Sequence, residues 1–203
     1  IYVGYLYFET FAKERVRYPF GFGLSYTDFA MSVSLKATQQ EILASARVIN
    51  IGNRCGREVV QIYLEKPQGK LGQPARQLVS FAKTKNLRPD ENEGLLLPIP
   101  LERLASFDDS GVTGHPNAWV MEKGEYTFYA GTDVRNAKRA GALRIAETFV
   151  VKQCEEALAP ETAFRRIRPM MEVRTIEPDP DSFEGEPVRE EIFTKETEEV
   201  PVR

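Results

Sequence analysis

Several kinds of chemistry are short of material in this chain. It has one histidine, one tryptophan and two cysteines in 203 residues. His115 stands alone in Gly114-His115-Pro116, and Cys55 and Cys154 lie far from each other. No zinc-ligand spacing results, and no metal is expected. A Ser-His-Asp triad drawn from Ser110, His115 and Asp108 would rest on closeness in sequence, which is not triad geometry. Two cysteines make no disulfide framework. Cys55 sits in the turn Asn53-Arg54-Cys55-Gly56, Cys154 follows the last strand signal, and no bridge between them is expected. Free thiols suit a reducing compartment, so the expected location is cytoplasmic. No apolar run approaches the ~20 residues that a membrane helix needs, so no membrane partner is expected. Gly21-Phe22-Gly23 lacks the following Lys-Ser or Lys-Thr of a phosphate loop, and a strand pattern comes next. No cofactor is implied.

Charge is present but unevenly placed. Residues 1–154 carry 20 basic and 16 acidic side chains, whereas residues 155–203 carry 7 and 14. An acidic end repels phosphate backbones, so no nucleic-acid partner is expected. Its plain reading is a solvated linker. A hydrophobic content of 42% with 28% charged residues suits a globular domain plus extra segments. The chain opens on Ile1 in mid-pattern, and we expect it to be a piece of a longer polypeptide.

Period-two patterning dominates from Asp28 onward. Phe29, Met31, Val33 and Leu35 alternate with Ala30, Ser32, Ser34 and Lys36. Ile42, Ala44, Ala46 and Val48 form the inner row of a second strand, which Asn50 and Gly52 end at a turn. Further strands are expected at Val59–Leu64, Gln77–Thr84 and Glu93–Ile99, around Tyr126, Phe128 and Ala130, and along Leu143, Ile145, Phe149 and Val151. Residues 101–107 fit a helical turn or an edge strand. About seven short strands with turn signals between them predict an all-β immunoglobulin-like sandwich. Phe29, Val33, Val48, Val60, Ile62, Tyr126 and Phe128 are its expected core. Beyond Val151, residues 155–159 and 161–167 are short helix candidates. From Glu172 on, prolines and dense charge predict extended or disordered chain.

The run Tyr18-Pro19-Phe20-Gly21-Phe22-Gly23-Leu24-Ser25-Tyr26-Thr27-Asp28-Phe29 holds too much aromatic surface for a free linker. It reads as a structured junction between domains, with glycine and proline setting its bends. Together with Ile1–Thr10, it resembles the end of the α/β sandwich domain of glycoside hydrolase family 3, the β-glucosidase-like family. Val48–Asn53, Gly56–Leu64, Arg76–Lys83 and Lys123–Gly131 resemble, in order, that family's fibronectin type III-like domain. The resemblance implies three parts: residues 1–27 as the end of the sandwich domain and junction, 28–151 as the fibronectin type III-like domain, and 152–203 as an acidic linker. Leu158–Pro169 resembles the linker of family members in which a barrel domain comes last.

Family membership implies a retaining glycosidase, whose two carboxylates stand ~5–5.5 Å apart. The family's nucleophile is an aspartate in a Ser-Asp-Trp-type motif on the barrel domain, and this chain has no such motif; Trp119 follows Asn117-Ala118. The acid/base glutamate belongs upstream of Ile1. Catalytic, cofactor-binding and metal-binding residues are therefore all expected to be none. Asp108-Asp109 and Glu155-Glu156 read as solvated pairs. Tyr2, Tyr5, Tyr7 and Phe8 are expected to pack the last strand of the preceding domain against the fibronectin-like one. Tyr63 and Tyr129 should be core or half-buried. The segment then reads as a structural module bracing the remaining catalytic domains of the same polypeptide, which would act on a β-glycoside. The alternatives are a carbohydrate-binding module, which needs an exposed coplanar aromatic row, or an Ig-like interaction domain forming a homodimer, which needs an exposed apolar patch.

Overall fold

A computed structural model describes residues 1–38, 40–157, 164–176 and 188–200. A short helix, α1 (Tyr5–Phe11), opens the chain. Ten strands follow: β1 (Phe29–Ala37), β2 (Glu41–Asn50), β3 (Val59–Glu65), β4 (Gln77–Lys83), β5 (Asn92–Pro100), β6 (Ser106–Asp108), β7 (Ala118–Met121), β8 (Gly124–Gly131), β9 (Lys138–Ile145) and β10 (Phe149–Gln153). Two longer strands, β11 (Phe164–Ile176) and β12 (Val188–Val200), come last.

The antiparallel sheets β1-β2-β5 and β4-β3-β8-β9 face each other as a sandwich. Ile42, Ala44, Ala46, Val48, Leu97 and Ile99 from the first pack on Val60, Ile62, Leu64, Tyr126 and Phe128 from the second. Strand alternation produces this, since every second side chain points inward. Phe29 and Val33 are only half-buried, because β1 is an edge strand paired on one side alone. A small third sheet, β10-β7-β6, adds Met121 and Val151 to the same core.

The expected seventh strand is two strands. Ala146–Thr148 breaks it, so β9 continues beside β8 whereas β10 crosses to β7. Residues 101–108 hold both of the alternatives: a single 3-10 turn at Leu101–Arg103, then the edge strand β6. Residues 155–157 form no helix, and residues 158–163 lie outside the described part. The second helix candidate fails from Phe164 on, where β11 begins. β11 and β12 pair antiparallel, so this end of the chain is not simply extended linker. Their register sets Arg165, Arg166, Arg168 and Arg174 opposite Glu199, Glu198, Glu196 and Glu190. Pro169 is tolerated because a two-stranded ribbon has edges on both sides.

Candidate functional site

The outer face of the four-stranded sheet carries a dense set of contacts to the N-terminal segment. β3 is buried through Val60–Leu64, on both of its faces. Val60, Ile62 and Leu64 face the main core, whereas Tyr63 packs with Val134, Ala137, Tyr5, Leu78 and Tyr129 in a second cluster. That second cluster is the seat of the N-terminal segment.

Four sets of contacts fix the seat. The Leu78 amide donates to the Tyr5 hydroxyl oxygen at 2.8 Å. Thr10 Oγ1 donates to Leu6 O at 2.6 Å and accepts from the Ala75 amide at 3.0 Å, tying α1 to the chain before β4. Arg135, in the β8–β9 loop, donates to Glu9 Oε1 at 3.0 Å and to Lys13 O at 2.8 Å. Asp133 orients that loop by accepting from the Arg135 and Asn136 amides at 2.9 and 2.8 Å. Glu9 is only 3% exposed, and the Arg135 guanidinium forms an ion pair with it at 2.9 Å.

The junction run docks by backbone and ring. Phe20 stacks on Tyr5 with centroids 4.1 Å apart, and its carbonyl accepts from the Val134 amide at 3.0 Å. Gly21 has φ +89°, and a Cβ there would meet Gln61 Oε1 at 2.5 Å. Glycine is required at that position by conformation and by space. Gly23 has open space around it. Gln61 in turn donates to Thr132 O and accepts from the Tyr63 hydroxyl. Burial pushes the Tyr63 phenol up, so it remains a neutral donor. On the far side, Tyr18, Phe22, Leu24 and Tyr26 stay exposed, the last two above 90%.

Of the aromatic residues in the first ten positions, Tyr5 packs on the sandwich, from a helix and not from a strand, whereas Tyr2 and Tyr7 meet Phe11 and Tyr7 also meets Phe8. Gly4, with φ +60°, sets the turn into that helix. Periodicity over seven residues is too short to separate helix from strand in an aromatic-rich run.

The other sequence candidates scatter. Asp108 is fully buried rather than solvated. Its carboxylate accepts from the Gly111, Val112 and Thr113 amides at 2.6, 3.1 and 2.8 Å and from Thr113 Oγ1 at 2.6 Å. Burial works to raise its pKa, but these hydrogen bonds outweigh it and hold the carboxyl below its usual range. Those donors, not His115, take up Asp108, so it staples a loop. Asp109, Glu155 and Glu156 are at least partly exposed. Cys55 and Cys154 are free thiols. Tyr63 is buried, and Tyr129 is half-buried, donating to Glu65 Oε2 at 2.9 Å beneath the Arg76 guanidinium. Trp119 and Phe107 are each 40% exposed, but their planes differ by 55°. These aromatics do not form the coplanar row that polymer binding would use.

Two further anchors carry no sequence signal of their role. The Tyr126 hydroxyl, near the start of β8, donates back to Glu122 O at 3.1 Å in a buried corner. A tyrosine closing such a corner is a feature of immunoglobulin-like sandwiches. Asn50, fully buried, donates from Nδ2 to Arg54 O and Leu87 O at 2.7 and 2.9 Å. Its Oδ1 accepts from Thr27 Oγ1 and the Gly52 amide at 2.7 and 3.1 Å.

Comparison with known proteins agrees with this architecture. Residues 58–134 match the family described as a fibronectin type III-like domain. The β-glucosidase of Ruminococcus albus is 52% identical over 177 residues, which are 87% of this chain and 18% of that protein. β-Glucosidase A of Butyrivibrio fibrisolvens is 41% identical over 186 residues, 82% of this chain and 22% of that one. The solved β-glucosidase of Paenibacillus barengoltzii superposes with a TM-score of 0.85 at 42% identity, covering 100% of this chain and 21% of its own. β-Glucosidase 3B of Thermotoga neapolitana, solved with glucose, gives 0.67 at 38% identity over 75% of this chain and 20% of its own. This chain thus spans about a fifth of the length of the relatives it matches. It belongs to the β-glucosidase-like proteins of glycoside hydrolase family 3, and its sandwich is their fibronectin type III-like domain.

Proposed function

We propose that this segment braces the catalytic domains of a retaining β-glucosidase-like hydrolase within one polypeptide. The observation that carries the reading is the two-sided junction. One side of residues 1–26 is clamped to the sandwich by Arg135, Leu78, Val134 and Gln61. The other side presents Tyr18, Phe22, Leu24 and Tyr26 outward as an apolar surface suited to the rest of the polypeptide. The two carboxylates of the hydrolysis belong to those other domains. Asp108, the buried aspartate of the sequence pair, is already saturated by loop donors.

The test compares this chain with its parent polypeptide. The isolated chain should turn over an aryl β-glucoside no faster than buffer. Replacing Leu24 and Tyr26 with Ser should leave the melting temperature of the isolated chain unchanged and lower that of the parent. Turnover by the purified chain that is lost in Asp108→Asn or Asp109→Asn would overturn the reading. A parent indifferent to both replacements would overturn the bracing role. A concentration-dependent dimer of the isolated chain, abolished by Tyr26→Ser, would assign the same surface to self-association instead.

A further inference from the structure

A second feature lies beside α1. A cavity of about 760 Å³ opens between the 66–74 segment, β6, β7 and β11, within the range of small-molecule sites. Its walls include Leu6, Leu71, Phe107 and Trp119. Lys66 stands at its polar end and is only 6% exposed.

Lys66 has an incomplete set of partners. Its ammonium carries three N–H donors. The acceptors are Ala105 O at 2.8 Å and Ser106 Oγ at 3.0 Å. Ser106 Oγ spends its own proton on Gln73 Oε1 at 3.1 Å, which leaves a lone pair turned to the lysine. The Gln73 backbone is held at both ends by Gln68, at 2.8 and 3.0 Å. Glu122 pins the adjoining turn by accepting from the Lys70 and Leu71 amides at 2.7 and 3.3 Å. The amine is thus held in place by a rigid frame. No carboxylate among the described residues forms an ion pair with it. The other charged residues on the walls are Asp109, after β6, and Arg168, on β11. Burial pulls the Lys66 pKa down to about 8, so the amine is still largely protonated at neutral pH. An unpaired buried cation is costly, and an anion supplied from outside would remove the cost.

We propose that this cavity binds a small organic acid, with its carboxylate on Lys66 Nζ and its apolar body against Trp119, Phe107 and Leu71. A neutral sugar suits the walls less well. Its hydroxyls would gain only an ion–dipole hydrogen bond from the cation, and the Phe107 and Trp119 planes, tilted by 55°, do not form one continuous platform. The cavity shares Ile1, Tyr2 and Leu6 with the N-terminal segment but none of the exposed residues Tyr18, Phe22, Leu24 and Tyr26, so its test reads separately from that of the bracing role.

The experiment titrates the isotopically labelled chain with 4-phenylbutyrate, its neutral counterpart 4-phenylbutanol, and glucose, followed by amide and indole NMR shifts. The acid should give saturable shifts at Ala105, Ser106 and the Trp119 indole. The alcohol should bind at least about tenfold more weakly, the scale of one charge-assisted hydrogen bond. Lys66→Met should weaken the acid by a similar factor and leave the alcohol unchanged. Because the acid–alcohol comparison uses the unaltered chain, it stands even if the variant folds poorly. No saturable shift with the acid, or equal binding of acid and alcohol, overturns the proposal. So does saturable binding of glucose alone at these residues, which would make the cavity a sugar site.

Discussion

The substitution Asn50→Asp should be among the most damaging isosteric changes in this chain at neutral pH, and acid should partly reverse it. Asn50 is fully buried, and each of its four hydrogen-bonding positions is used. In the variant, the atom facing Arg54 O and Leu87 O becomes an oxygen, held 2.7–2.9 Å from two carbonyls. An ionised carboxylate cannot remain there, so folding requires protonation. Taking a proton at pH 7 against an unfolded pKa of ~3.9 costs about 4 kcal/mol. The protonated acid has one donor for two carbonyls, and the second orphan adds ~1–3 kcal/mol. The sum, about 5–7 kcal/mol, rivals the ~5–15 kcal/mol that hold an ordinary domain. The sign is fixed: the folded pKa of the introduced carboxyl is raised, so the penalty is largest at neutral pH and shrinks as pH falls toward ~4. Urea midpoints by circular dichroism at pH 7 and near pH 4.5, each compared with the unaltered chain, measure it. Asn50→Ala is the control, since its loss should not vary with pH. An Asn50→Asp chain within about 1 kcal/mol of the original at pH 7 would refute the reasoning. So would a deficit that does not shrink in acid.

Tyr126→Phe removes only the corner hydrogen bond to Glu122 O, and it should cost ~1–3 kcal/mol in the same assay with an unchanged urea slope. Arg135→Leu leaves the Glu9 carboxylate buried without its partner. Amide exchange over Tyr5–Phe11 should then accelerate while that of β8 does not, and unchanged protection of the helix would count against the seat described above. Asp108→Asn should destabilise the chain by ~2–3 kcal/mol at neutral pH, the scale of a charge-assisted hydrogen bond. Because the folded pKa of Asp108 is depressed, its contribution is complete above the unfolded value of ~3.9 and is lost as pH falls through the lower folded value, so the gap between the two chains should close in acid.

Much of the sandwich is legible in the sequence because its strands are amphipathic one at a time. β2 is the clearest case: Ile42, Ala44, Ala46 and Val48 alternate with more exposed neighbours, and all four are buried. A half-buried strand carries its own partner's signature in its period. β3 carries a different signal. Val59-Val60-Gln61-Ile62-Tyr63-Leu64 is nearly continuous in apolar character, and such runs mark strands covered on both faces. The run thus announces a layer outside the four-stranded sheet, and the structure shows that layer to be α1 with the junction run.

What is not legible belongs to pairs of segments. Arg135 reads as one more loop cation until the fold sets it 3.0 Å from Glu9, 126 positions earlier. Asn50 reads as a turn former, and its grip on Leu87 O spans 37 positions. The acidic end of the chain shows the same limit most clearly. Taken alone, Val188–Val200 is charge-dense and short of apolar residues, so it cannot offset the ~1–2 kcal/mol per residue of backbone ordering by burial. That argument omits the complementary segment. Phe164–Ile176 carries Arg165, Arg166, Arg168 and Arg174, and the antiparallel register sets each opposite a glutamate. Backbone pairing between the two segments then satisfies hydrogen-bonding groups that neither segment satisfies alone. A slip of one residue in one direction would set Arg168 and Arg174 opposite Lys195 and Arg189, and like charges facing across strands are destabilising. The order of charges along the two stretches is thus complementary in this register, a match that composition cannot reveal because it depends on both stretches together.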